Sequence, residues 1–373
     1  MSVPRVTMEC MTPITVEDAV EYISGICFKT GPPSRVGVEL EWFPRDARRP
    51  EHLPERERLL RAFAVAAELP LSGALSMEPG GQWELSSAPA DSVRELIAAT
   101  DRDLALMRQS ASEAGLELVG VGREPGHPPR RVLDDPRYVA MERFFDRDNG
   151  AGRVMMCSTA SIQVSVDAGT EHDGPDGYRS RWLLAHELAP VLTLAFCRTE
   201  RPAVWAAIDP GRTLAPPLDA PDPRTAYARY ALDAKLMCVR RQDGTDWIAP
   251  PGLTFREWIA SGALDPSEQR GPTLDDLAYH LTTLFPPVRP QGHLELRVLD
   301  ALPGDLWRVP TALVTALFHD ARAADDARAA LELTPIRKAA TACFEAALSA
   351  LRRMDVPESL TAEVARYAEE ELS

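Results

Sequence analysis

The chain has 373 residues, 45% of them hydrophobic, and a formal net charge of −15 at pH 7. That acidic balance argues against a nucleic-acid or anionic-membrane surface, and no apolar run approaches the roughly 20 residues that a membrane span needs. The opening residues 1–15 carry no apolar signal-peptide core, and the cysteines form no CxxC pair, so the expected location is the cytosol. The six cysteines (Cys10, Cys27, Cys157, Cys197, Cys238, Cys343) read as small buried hydrophobes. Lysine occurs only at Lys29, Lys235 and Lys338, so any phosphate would be met by arginine, main-chain N–H groups or a metal.

In chain order, residues 15–28 read as an amphipathic helix opened by a T-x-x-D cap. Strict alternation in VGVELEWF, residues 36–43, sets Glu39 and Glu41 side by side on one face of a strand. A helix over 54–68 follows. A tight turn at Pro79, Gly80 and Gly81 then leads into a strand with Gln82, Glu84 and Ser86 on one face. Asp91 is the expected N-cap of a long helix reaching about Ala114, and residues 116–122 form the next strand. In residues 161–167, Ser161, Gln163, Ser165 and Asp167 face away from Ile162, Val164 and Val166. In residues 292–299, His293, Glu295 and Arg297 oppose Leu294, Leu296 and Val298. Proline-rich stretches at 125–136, 210–223 and 286–290 read as loops, and from Leu306 an Ala- and Leu-rich helical pattern takes over.

Four strands with one apolar and one polar face predict an α+β fold, a curved and largely antiparallel sheet with helices on its back. The whole of 1–373 is expected to be one catalytic domain with a mainly helical C-terminal layer from about 304. Carboxylates side by side on the polar face repel and raise each other's pKa unless a cation sits between them. All-oxygen ligation suits Mg²⁺ or Mn²⁺, which usually arrive with substrate phosphates, so the pattern points to a nucleotide site. Exposed strand carboxylates are also common on ordinary sheets. Arg297, two residues after Glu295, reads either as a same-face salt bridge or as a phosphate clamp. Walker and dinucleotide loops are absent, and GVGREPG near Gly120 has neither spacing. The histidines form no HxxxH or HExxH pattern, and no G-x-S-x-G elbow supports a serine hydrolase. Glu39 and Glu84 could flank a glycosidic bond, but aromatic content of 6% is thin for a sugar platform.

Seven blocks run in order from residue 36 to 303: VGVELEWF, MEPGGQWELSSAP, RYVAMERFF, MMCSTASIQVSVD, IDPGRT, RYALDAKLMCV and HLTTLFPPVRPQGHLELRVLDALP. Together they resemble the glutamate-cysteine ligase family, particularly its plant-type branch and the bacterial ligases that make γ-glutamylcysteine for ergothioneine. The resemblance implies a glutamine synthetase-like funnel with ATP as co-substrate and two or more Mg²⁺ on its concave face. It implies that ATP phosphorylates the side-chain carboxylate of L-glutamate and that the amine of L-cysteine then displaces phosphate. Carried over residue by residue, metal ligands fall on Glu39, Glu41, Glu84, Gln163 and Glu295. Arg297 and Glu84 fall at the reacting phosphate, and Arg297 and Arg212 fall at the nucleotide phosphates. Arg137, Met156, Thr159 and Arg212 fall in blocks that line the glutamate pocket. Arg212 could instead cap a loop, and Met156 could be plain core. Gln163 stands where some branches carry His. RTERPAVW, residues 198–205, lacks the Ser-rich stretch common in relatives. Neither the cysteine-binding side chains nor a base for the amine follows from these blocks. Two rival readings are a carboxylate-amine ligase of the same family using another amine, and a non-catalytic nucleotide-binding relative.

Overall fold

The computed structural model describes residues 13–124, 126–241 and 246–372; Cys10, Pro125 and most of the opening segment lie outside them. Seven strands form one sheet: β1 (Val36–Asp46), β2 (Ala74–Met77), β3 (Trp83–Ser86), β4 (Leu116–Val119), β5 (Ser161–Asp167), β6 (Val288–Pro290) and β7 (His293–Asp300). Their order is β2-β3-β1-β5-β7-β6, every pairing is antiparallel, and β4 pairs with the far half of β1. The α+β reading therefore stands.

Alternation explains which side of the sheet is covered. Val36, Val38, Leu40 and Trp42 of β1, Trp83 and Leu85 of β3, and Ile162, Val164 and Val166 of β5 all enter one core. Burying each such side chain contributes about 1.5–3 kcal/mol, which fixes the register, because a one-residue slip would turn all of them outward. Helices Tyr178–Phe196 and Arg308–His319 pack on β7 and β5, and helix Val93–Glu113 packs on β1 and β4. Ala321–Leu331, Ile336–Leu351 and Glu358–Leu372 complete a C-terminal layer against Arg308–His319 and Tyr178–Phe196. Among the described residues no helix is long and apolar enough to cross a membrane.

A second, smaller core stands apart from this back layer. It joins Met141, Phe144 and Phe145 of helix Pro136–Phe145, Met155 and Met156 of helix Ala151–Ser158, and Val204 and Ile208. Its edge walls the polar face of the sheet.

Several boundaries differ from the sequence reading for local reasons. The first helix is Val16–Cys27 with the expected capping box on Thr15 and Asp18, and the second is Arg56–Ala66. Ser92, not Asp91, caps the long helix, its side chain accepting from Glu95 N–H at 3.2 Å. Residues 286–290 contain strand β6, where Pro290 is tolerated because the strand lies at a sheet edge. Residues 210–223 contain the helical turn Pro210–Thr213, capped by Asp209. Of the described cysteines, Cys27, Cys157, Cys238 and Cys343 are buried, Cys197 is half-buried, and all are free.

Candidate active site

Strand pairing assembles a row of polar side chains across the uncovered face. Ser76 lies opposite Glu84, Glu84 opposite Glu41, Glu39 opposite Gln163, and Arg289 opposite Glu295. Between Ile162 and Val164 the β5–β7 register shifts, so that Arg297 and Val298 together face Gln163. This bulge ends the alternation expected through Val298, leaving Val298 half-buried and Leu299 buried, and it aims Arg297 along the sheet, where its Nη1 donates to Gln163 Oε1.

The row floors a cleft of about 310 Å³ lined by Glu39, Glu41, Glu84 and Gln163, with Arg289 and Arg297 at one end. Arg137, Met156 and Thr159 line it too, from the wall of the smaller core. Arg137 is held by Thr282, donating to its hydroxyl at 2.8 Å and its carbonyl at 2.9 Å. Thr159 Oγ1 donates to Met155 O at 2.7 Å. Gln82 also lines the cleft; its Nε2 donates to Thr159 O at 2.7 Å and ties the start of β3 to that wall, while its Oε1 has no hydrogen-bond partner. The approach is close enough to require glycine, since a Cβ on Gly80 would lie 2.4 Å from Cys157 O, and Gly81 turns the chain at φ +93°.

Arg212 departs from the expectation. Its guanidinium is fully buried outside the cleft lining, donating to Thr283 O and Lys235 O at 2.6 Å each and to Asp209 at 3.3 Å. Those bonds fix the turn that carries Thr282 and Phe285, so Arg212 reaches no cleft ligand directly.

The carboxylates divide into two electrostatic classes. Burial, then repulsion from Glu295 and Glu84, pushes Glu39 up to about 8 against Arg297 and Arg289. Burial and the adjacent Glu41 push Glu84 to about 7, partly offset by the Ser76 hydroxyl at 2.7 Å. Glu41 is raised by burial although Ser161 donates to it through N–H at 2.9 Å and Oγ at 2.7 Å. Glu295 behaves oppositely. Burial works against its charge, but Arg289 (2.7 and 3.2 Å) and Arg297 (2.8 Å) overcome it and hold Glu295 down at about 2. Glu295, at 1% exposure, lies beneath the cleft with its oxygens already bonded, unlike the open ligand expected of it.

Sequence periodicity missed Glu78, Arg201 and Arg289, all of which line the cleft. Glu78 comes from the turn before β3, closed by Glu78 N to Gln82 O and Gly81 N to Glu78 O at 2.8 Å each, so no strand alternation marks it. Burial and Glu84 raise its carboxyl well above the ordinary range. Arg289 was legible only by reading residues 288–290 as a strand beside β7. Arg201 lies in RTERPAVW.

Glu39, Glu41, Glu78 and Glu84 thus form an all-oxygen set whose charge the protein alone does not neutralise. Among the described residues no group of three or more His, Cys, Asp or Glu side chains is placed so that it could hold a metal ion by itself. Carboxylate oxygens are the donors that a hard cation such as Mg²⁺ takes, and such an ion keeps several waters and is usually shared with substrate phosphates rather than caged by protein.

A model of glutamate-cysteine ligase family 2 matches residues 35–366. The glutamate–cysteine ligase EgtA of Mycobacterium tuberculosis (strain H37Rv) is 38% identical over 331 residues, covering 84% of this chain and 75% of the relative. The EgtA of Mycolicibacterium smegmatis is 37% identical over 341 residues, covering 85% and 78%. The chloroplastic glutamate–cysteine ligase of Arabidopsis thaliana is 29% identical over 359 residues, covering 86% and 66%. Among solved structures, the glutamate–cysteine ligase of Francisella tularensis in complex with AMP superposes with a TM-score of 0.50 at 11% identity, over 93% of this chain and 83% of that one, a likeness of fold. With its family-wide match and its mycobacterial relatives, the chain belongs to glutamate-cysteine ligase family 2.

Proposed function

We propose that this protein joins the γ-carboxylate of L-glutamate to the amine of L-cysteine at the expense of ATP, giving γ-glutamylcysteine, ADP and phosphate. The observation that carries the reading is the single cleft in which Glu39, Glu41, Glu78 and Glu84 face Arg289 and Arg297, in a chain of this family. A glutamate oxygen attacks the γ-phosphorus and ADP leaves. The cysteine nitrogen then attacks the acyl carbon, the C–O bond to phosphate breaks, and the amine gives up its proton.

The chain's own residues supply placement and charge. Arg289 and Arg297 are pinned by Glu295, so their positive charge stands ready where the phosphoryl group moves and needs no reorganisation. Met141, Met155 and Met156 shield the opposite wall, which limits hydrolysis of the acyl phosphate. We assign Glu39, Glu41 and Glu84, together with Glu78, to Mg²⁺ or Mn²⁺, which when bound neutralises triphosphate charge. Gln163 and Glu295 both accept from one guanidinium nitrogen of Arg297, and Glu295 accepts from Arg289 as well, so we assign them to holding these arginines rather than to the metal. Glu84 and Arg297 are the residues assigned to the reacting phosphate, and Arg137, Met156 and Thr159 to glutamate.

We further assign the full chain to one catalytic unit, its location to the cytosol and its product to ergothioneine supply, on the likeness of blocks such as HLELRVLDALP. Phosphate release measured with L-glutamate, MgATP and L-cysteine is expected to depend on all three. Turnover with another amine but not cysteine would transfer the reading to a sister carboxylate-amine ligase. ATP binding by calorimetry without ADP formation would make the protein a non-catalytic relative.

A further inference from the structure

A second hollow, of about 280 Å³, shares no lining residue with the catalytic cleft. It lies among the helices on the covered side of the sheet. One wall is the first turns of helix Val93–Glu113 and the other the start of helix Glu358–Leu372, and both helices pack on helix Arg308–His319. Its apolar lining is continuous with the main core: Leu360 is 4% exposed within that core, and Ile97 packs against it.

The charged side chains that line the same hollow do not cancel inside it. Arg94 Nη2 donates to Asp355 at 2.7 Å, and Arg308 donates to Asp101 through Nε at 3.1 Å and Nη2 at 2.7 Å. Nη1 of each arginine has no partner among the described residues, and the two side chains keep 45% and 26% of their surface exposed, so neither donor is sealed off. Opposite in sign is Glu363, half-buried and also lining the hollow. Burial raises its carboxyl against the pull of Arg308 and Arg366, yet among the described residues it accepts no hydrogen bond and closes no ion pair. A guanidinium and a carboxylate that line one hollow without meeting leave a gap that a ligand bearing both charges fills. A cation alone would satisfy Glu363 and face the arginines, and an anion alone the reverse. Between them Ile97, Ala98 and Leu360 offer no polar side-chain atom, so the body of the ligand must be apolar.

We propose that this hollow binds a small zwitterion with an apolar body, the chemistry of a free aliphatic α-amino acid, its ammonium group on Glu363 and its carboxylate on the spare donors of Arg308 and Arg94. The site is separate from the reaction at the carboxylate row, and it stands whether or not the ligase reading does.

Saturation-transfer NMR on the full chain tests this with L-leucine, isopentylamine and 4-methylpentanoate; the last two each keep one of leucine's charges on the same carbon skeleton. Leucine is expected to bind with a Kd on the order of millimolar or tighter. Each single-charge analogue should bind about tenfold more weakly, the loss that follows removal of a charge-assisted hydrogen bond. Glu363→Gln should weaken leucine and the amine by about that factor and leave 4-methylpentanoate unaffected. Ala98→Trp, at an exposed position beside the hollow, should abolish binding of all three by filling it. Saturating L-glutamate and MgATP should leave leucine binding unchanged. No saturable leucine binding, or undiminished binding in both variants, would overturn the site. Displacement of leucine by L-glutamate would place it in the catalytic cleft and overturn the site as well. An amine or acid that binds as tightly as leucine would overturn the zwitterion assignment.

Discussion

The two ends of the polar face use the same side chain for opposite purposes. At the β1–β3 end, Glu39 and Glu84 are crowded by other carboxylates and sit at about 8 and 7. At the β6–β7 end, Glu295 is more deeply buried yet sits at about 2, because two guanidinium groups surround it. Burial alone therefore does not set the role of a glutamate on this sheet; the sign of its neighbours does. The first end is a vacancy in charge that a cation can fill, and the second is a finished ion cluster that fixes two arginines.

The largest expected effect comes from removing a carboxylate from the first end. Glu84→Ala or Glu39→Ala should lower phosphate release on the order of 10³-fold or more, while the unfolding midpoint stays near that of the wild type, because neither side chain belongs to the apolar core. Collapse of the fold in both variants would show that the acidic end is structural and erase the contrast. Removing a cation from the second end should reverse the balance. Arg289→Leu leaves Glu295 buried with one partner, and breaking a buried ion pair typically costs about 3–5 kcal/mol, so urea unfolding should register a loss of that order in addition to lost activity. A stability equal to wild type would mean that Glu295 is not held by its arginines in solution.

This contrast also explains how far the sequence could be read. Period-2 alternation places Glu39, Glu41, Glu84 and Gln163 on one face without any knowledge of the fold, and the structure gathers them in one cleft. It could not reveal that Glu295 is sealed under Arg289, because that depends on residues 288–290 pairing with β7, and three residues containing proline carry almost no strand signal. Glu78 and Arg201 arrive from a turn and from a short helix, where side-chain direction has no period to detect. Arg212 shows the converse: its residue type fits an anion site, but only the packing shows its donors spent on Thr283, Lys235 and Asp209.

Titration separates the two ends without mutation. A carboxyl whose folded pKa is raised binds more protons folded than unfolded between about 4.5 and its folded value, so that its contribution to stability falls as pH rises through that window. For Glu39 and Glu84 the window runs from about 4.5 to about 8 and about 7. Glu295 contributes in the other sense, its stabilisation present above 4.5 and lost as pH falls toward about 2. The protein without divalent ions should therefore lose thermal stability between pH 5.5 and 8, and added Mg²⁺ should raise Tm more at pH 8 than at pH 5.5. An equal Mg²⁺ effect at both pH values would contradict a site made of these carboxylates.

The smallest effect probes the neutral hydroxyl that serves Glu84 at the acidic end. The Ser76 hydroxyl donates to Glu84 at 2.7 Å and favours its charged form. A neutral hydrogen bond has a net worth of about 0.5–1.5 kcal/mol, and 1.36 kcal/mol corresponds to one pKa unit. Ser76→Ala should accordingly shift the lower limb of the pH–activity profile upward by about 0.5–1 unit while leaving the plateau rate and the Arg289–Glu295 pair undisturbed. A profile that does not move would mean that Glu84 is already bound to metal throughout the titration, since a coordinated carboxylate is fixed in its charged form and no longer depends on the serine.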